Sequence, residues 1–143
     1  MPDARGLLLA FDYGKKRIGV ATGNGLTRTA TPLTTLQAGA EPPWPAIDAL
    51  IEDWRPSLIV VGQPESATDA DLLRAVADFV ATLKQRYGIE VQQVDESYSS
   101  VAAESALRDG RREGILARRL RREQIDQHAA CLIAEQWMNQ SID

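Results

Sequence analysis

Cysteine occurs once in these 143 residues, at Cys131, so no disulfide can form within the chain. Histidine also occurs once, at His128. No apolar run approaches the roughly 18 residues needed to span a bilayer. The opening segment Met1 to Gly6 leads into only about five apolar residues before Asp12, too few for a secretory signal. The expectation is a cytoplasmic protein without membrane contact. A positive excess is lacking too: 16 Lys and Arg face 20 Asp and Glu, a net charge of −4, so the molecule as a whole does not draw in nucleic acid. Hydrophobic content of 44% and charged content of 25% are ordinary for a soluble globular chain. The length argues for one domain, residues 1–143, around one core.

The charge is unevenly spread. Seven of the thirteen arginines lie between Arg108 and Arg122. Residues 101–125 carry a local excess of three positive charges, which leaves −7 for the rest. Such asymmetry points to a polyanionic partner.

Three carboxylates stand at the edges of apolar elements. Asp12 closes the run Leu7-Leu8-Leu9-Ala10-Phe11, Glu96 ends the stretch Glu90 to Asp95, and Asp126 opens a face shared with Ala129, Ala130 and Ile133. Charged groups at the edge of a core cost free energy unless something pairs with them. A divalent cation is one such partner, and ligands that are all oxygen point to Mg²⁺ or Mn²⁺. The alternative is three unrelated surface acids. Asp95 competes with Glu96 for the role, but neighbours on a strand point to opposite faces, so only one of them can join a cluster.

Hydrophobic periodicity divides the chain into elements. Leu7 to Tyr13 reads as a buried strand, Gly14-Lys15-Lys16 as a turn and Arg17 to Thr22 as the second arm of a hairpin, broken by Gly23-Asn24-Gly25. Thr29 to Leu36 reads as a third strand, with Pro32 demanding an edge or a bulge. A helix with Ile47, Leu50, Ile51 and Trp54 on one face follows and stops at Pro56. Ser57 to Val61 is a strand. A helix capped within Thr68 to Asp71 carries Leu72, Leu73, Val76, Phe79, Val80 and Leu83 and ends at Gly88. Val91 to Glu96 is the last strand. A helix from Ser99 or Ser100 to Arg108 and a final helix over about 117–138 complete the chain. Early strands paired by hairpin and later strands joined through helices give an α/β fold, a five-stranded mixed sheet with helices on both faces.

Five stretches of this sequence resemble one known family. They are Ala10 to Ala21 (AFDYGKKRIGVA), Ala30 to Leu36 (ATPLTTL), Leu58 to Pro64 (LIVVGQP), Val94 to Ser100 (VDESYSS) and Ile125 to Ala130 (IDQHAA). In that order they are similar to the YqgF/RuvX family, Holliday-junction-resolvase-like proteins of the RNase H-like superfamily linked to 5′ maturation of pre-16S rRNA. The chain departs from the family pattern at Gly23-Asn24, where a Ser-Asp pair is usual, at Ser97, where an arginine is usual, and at Ser99 and Ser100, which replace threonines. The loop after Pro64 is shortened to Glu65 to Thr68.

The resemblance implies a single RNase H-like nuclease domain in which Asp12, Glu96 and Asp126 hold Mg²⁺ or Mn²⁺ and carry catalysis. Two ions about 3.5–4 Å apart would serve an in-line displacement at phosphorus. It implies a hydrolase acting on RNA, a ribosome precursor carrying pre-rRNA, or on branched DNA, as a monomer or homodimer. A nucleic-acid-binding ribosome factor with vestigial catalysis is the other reading. Lys15, Lys16 and Arg17 at the hairpin turn either touch a phosphate backbone or form a solvated turn. Arg118, Arg119, Arg121 and Arg122 lie on more than one helical face and either track a backbone or form a solvated helix start. His128 is turned about 200° from Asp126 on the helix, which places it at the surface. Cys131 and Trp137 read as core, and Trp44 and Trp54, which bracket the first helix, as packing residues or, where exposed, as aromatics able to stack on bases.

Overall fold

A pattern of near-continuous apolar strands demands cover on both faces of the sheet, and the computed structural model supplies it. The structure describes residues 6–14, 16–63, 70–95 and 118–140. In chain order these form β1 (Leu7–Tyr13), β2 (Arg17–Asn24), β3 (Thr29–Gln37), α1 (Trp44–Trp54), β4 (Leu58–Gln63), α2 (Ala70–Tyr87), β5 (Glu90–Asp95) and α3 (Arg118–Gln140). The sheet order is β3-β2-β1-β4-β5. Strands β1, β2 and β3 pair antiparallel, as the hairpin reading requires, and β4 and β5 join parallel through α1 and α2. The helix expected between Ser99 and Arg108 lies outside the described residues.

Strand β1 is central, and its side chains alternate between two cores. Leu9 and Phe11 join Ile18, Val20, Ile59 and Val61 under α1 and α2, where Ile47, Val76, Phe79 and Leu83 are buried. Leu8 and Ala10 face the other way, with Leu58, Val60 and Val94, against Ile133, Ala134 and Met138 of α3. The α1/α2 core is aromatic. Phe79 meets Phe11 edge-on at 5.7 Å between ring centroids and stacks on Trp44 at 5.6 Å. A bidentate ion pair from Arg86 and the Tyr87 hydroxyl, both donating to Asp48, ties α2 to α1.

Pro32 sits where its missing N–H does least harm. It lies on the edge strand, at a register break that pairs Val20 with Thr34 but Ala21 with Pro32. Helix α2 ends at Gly88, whose φ of +64° is a left-handed conformation that glycine adopts without penalty.

Two expectations need correction. Strand β2 runs on through Gly23 to Asn24 instead of breaking there. Gly23 lies under Leu8, and a Cβ at that position would come within 2.9 Å of the Leu8 side chain. It is a packing residue, and the turn begins at Asn24, whose Oδ1 accepts from the Leu26 N–H at 2.9 Å. Trp54, expected to pack, is 39% exposed. It is the last helical residue before Arg55 reverses the chain with φ 45°, so the apolar stripe of α1 stops one turn earlier. Among the described residues no helix is long and apolar enough to cross a membrane.

Candidate functional site

The site is built on the edge of the sheet where the parallel strands β1, β4 and β5 end. In open α/β sheets, ligands bind beyond the carboxyl ends of the strands. Asp12 is the penultimate residue of β1 and is half-buried. It has the same strand parity as Leu8 and Ala10, so it belongs to the face covered by α3. Its cross-strand partner on β2 is Gly19, and the partner of Gly19 on β3 is Thr35.

Asp126 lies over that row. A Cβ built on Gly19 would overlap the backbone carbonyl of Asp126 and stand 2.9 Å from the Asp126 Cβ. Only a residue without a side chain lets the helix approach so closely. The next contacts continue the approach: Ala130 and Cys131 pack on Ala21, and Ile133, Ala134 and Met138 on β1 and β4. The Gln127 side-chain amide donates to Thr35 Oγ1 at 3.2 Å, which pins the same turn to β3. Residues 114 positions apart in the chain, Asp12 and Asp126, thus reach one face at one edge.

Arg17 completes this corner. Its Nε–H donates to Asp126 Oδ2 at 2.7 Å, with 29% of the Arg17 side chain and 18% of the Asp126 side chain exposed. Arg17 was expected only as part of a basic turn, and its partner 109 residues away was not legible. Lys16, beside it, is exposed.

The remaining expected residues divide by what the structure describes. Glu96 and Lys15 lie outside the described residues; β5 ends at Asp95, on the same sheet edge as Asp12. Arg118, Arg119, Arg121 and Arg122 fall in the opening turns of α3, with side chains outside the description. Arg122 precedes Asp126 by about one helical turn, so the arginine segment continues the helix past the site. His128 is half-buried, not fully at the surface. Cys131 is buried, and burial together with Glu135 pushes its thiol up to about 11, as suits a packing residue and not a nucleophile.

Among the described residues no three acids, histidines or cysteines cluster as a metal site. The two acids that are described do fit a hard cation in chemistry. Both are carboxylates, the ligand type Mg²⁺ and Mn²⁺ take, and they stand on one face of the sheet, Asp12 near the end of β1 and Asp126 on α3 over its cross-strand partner Gly19.

Comparison with known proteins finds similarity over nearly the whole chain. The RuvX family, described as Holliday junction resolvase, matches residues 6–140. A protein of Burkholderia lata named "Putative pre-16S rRNA nuclease" is 43% identical over 139 residues, 95% of this chain and 91% of that protein. A protein of Legionella pneumophila with the same name is 40% identical over 140 residues, 96% and 98% of the two chains. Among solved structures, T. thermophilus RuvC in complex with a Holliday junction substrate superposes with a TM-score of 0.55 at 15% identity, over 95% of each chain. The Fowlpox virus resolvase bound to Holliday junction DNA gives 0.60 at 8% identity, over 96% of this chain and 99% of that one. At such low identity these two show a shared fold.

Proposed function

This chain belongs to the RuvX family, and from that premise we propose that it is a metal-dependent nuclease that processes the 5′ end of precursor 16S rRNA in the cytoplasm. The names of its relatives support the substrate. The single observation that carries the chemistry is the seating of Asp126 on Gly19, which brings a helix carboxylate to the face and edge that hold Asp12.

Asp12, Asp126 and Glu96 are the proposed metal ligands and catalytic residues. Glu96, which lies outside the described residues, is preferred to Asp95 because the family pattern places the strand-end acid there. A bound Mg²⁺ or Mn²⁺ supplies Lewis-acid stabilisation of the charge that develops on a phosphodiester during displacement. The protein's own residues do the rest. Asp12 and Asp126 are held by the sheet and by the helix seat, so they present their oxygens without reorganising. Lys15, Lys16, Arg17, Arg118, Arg119, Arg121 and Arg122 are the proposed contacts to the phosphate backbone; Lys15 lies outside the described residues, and Arg17 has only its terminal nitrogens to offer, since its Nε–H is given to Asp126. Phosphate contacts position a strand without reading sequence, so cleavage specificity must come from the fold of the precursor RNA.

The test is cleavage of a 5′-extended 16S precursor by wild-type protein and by Asp12→Asn, Glu96→Gln and Asp126→Asn. Each variant is expected to lose cleavage in Mg²⁺ while retaining RNA affinity. Full activity in any one of them removes the mechanism. The family's description favours a second substrate, a four-way DNA junction, and the same four proteins assayed on it decide between RNA and DNA. RNA binding by wild-type protein with no turnover on either substrate would leave a binding factor in place of an enzyme.

A further inference from the structure

We infer that Arg17 is a positioning residue that sets the orientation of the Asp126 carboxylate for the cation. The inference rests on the metal reading of Asp12 and Asp126 and deepens it.

Two restraints act on Asp126 from β2. Gly19 fixes its backbone, because the Asp126 carbonyl and Cβ occupy the space a side chain at 19 would take. Arg17, two residues earlier on the same strand and so on the same face, fixes its side chain through the 2.7 Å bond from Nε–H to Oδ2. Both partners are largely shielded from water. One strand thus holds the acid at two points, the backbone and the carboxyl tip. A carboxylate has about four lone-pair sites on two oxygens, so one N–H contact is compatible with a cation on the same group. Groups that hydrogen-bond a metal ligand in this way typically govern metal affinity 10–100-fold.

The opposite role, a cation that competes for Asp126, has the opposite sign. Removing a competing positive charge would tighten metal binding by simple electrostatics. Removing a positioning bond loosens it, because the carboxylate then samples rotamers that do not converge with Asp12. The geometry favours positioning. Arg17 springs from a strand that is itself clamped between β1 and β3, and its reach to Asp126 is fixed by the Gly19 seat.

The experiment measures Mn²⁺ binding by calorimetry to wild-type protein, Arg17→Gln, Arg17→Lys and Asp126→Asn. Circular dichroism and thermal melts of the metal-free proteins establish that each is folded. Arg17→Gln is expected to bind Mn²⁺ about tenfold or more weakly than wild type. Arg17→Lys, which keeps the charge but loses the guanidinium fork, is expected to stay within about threefold of Arg17→Gln. Equal or tighter binding by Arg17→Gln, or wild-type affinity in Arg17→Lys, overturns the inference while leaving the metal site intact. Identical Mn²⁺ binding by wild type and Asp126→Asn overturns the metal reading itself, and the inference falls with it. If Arg17→Gln does not fold, Arg17→Lys decides alone: weakened binding supports positioning, and unchanged binding overturns it.

Discussion

At the scale of single residues, the site depends on one missing side chain. Gly19 stands in the middle of a strand, where glycine normally weakens pairing. Its neighbours Ile18 and Val20 are fully buried, so the strand gains nothing from flexibility there. What glycine provides is room for the backbone of Asp126. Gly19→Ala is therefore expected to push α3 away from the sheet and to destabilise the fold by about 1–3 kcal/mol, the usual range for overpacking a core. Urea denaturation measures this directly, and a loss near zero would mean the helix is not seated as described. The sequence carries a signal for this contact, since a glycine inside a strand marks a close backbone approach, but it does not say which segment arrives. Arg17 is a harder case. A basic residue in a Lys-Lys-Arg turn reads as a phosphate contact, and its carboxylate partner is 109 residues away. Asp48 offers a separate test. Hydrogen bonds from Arg86 and Tyr87 hold its carboxyl down at about 2. A depressed carboxyl contributes stability that is complete above its ordinary range near 4 and is lost as pH falls through 2. Wild-type stability is expected to drop more steeply between about pH 4 and 2 than that of Asp48→Asn. Parallel acid titrations of the two proteins would contradict the pairing.

At the scale of elements, the sheet separates two tasks. One face, under α1 and α2, is an aromatic core whose function is stability. The other, under α3, is lined with small residues: Ala10, Ala21, Ala129, Ala130 and Ala134 are fully buried. Small side chains allow a close helix, and a close helix places Asp126. Phe79 lies on the first face, in contact with Phe11, Tyr13 and Trp44. Phe79→Ala is expected to cost about 3–5 kcal/mol, as truncation of a buried aromatic does. Cleavage per folded molecule, measured at low temperature, is expected to be unchanged. A collapse of activity in protein shown to be folded would mean the two faces are coupled. Most elements were legible because each has a single clear period: β1 and β4 as short continuous apolar runs, α2 as an unbroken 3.6-residue stripe, β3 as an edge announced by Pro32. The errors came where one residue type serves two purposes. Gly23 has the composition of a strand break but fills the space beside Leu8, and Trp54 continues a helical spacing after the helix has turned its back on the core.

At the scale of the whole molecule, the order of elements decides where chemistry can happen. The central strand carries Asp12 one residue before its end, β5 ends at the same sheet edge with Asp95, and the last helix returns across the opposite arm of the hairpin with Asp126. The net charge of −4 hides a local excess of three positive charges in residues 101–125, part of which opens α3. The fold class and most of the elements were readable from patterning together with the family resemblance. The meeting of Asp12 and Asp126 at one edge could not be read from spacing alone, which carries no information on which helix face meets which strand until Gly19 and Ala21 are seen beneath it. The most direct test of that convergence is a crystal of the intact protein soaked in Mn²⁺ and measured for anomalous scattering. A peak within coordination distance of the carboxylates of both Asp12 and Asp126 is the expected result. Ordered carboxylates of Asp12 and Asp126 with no peak between them, or a peak bound elsewhere on the molecule, would contradict it.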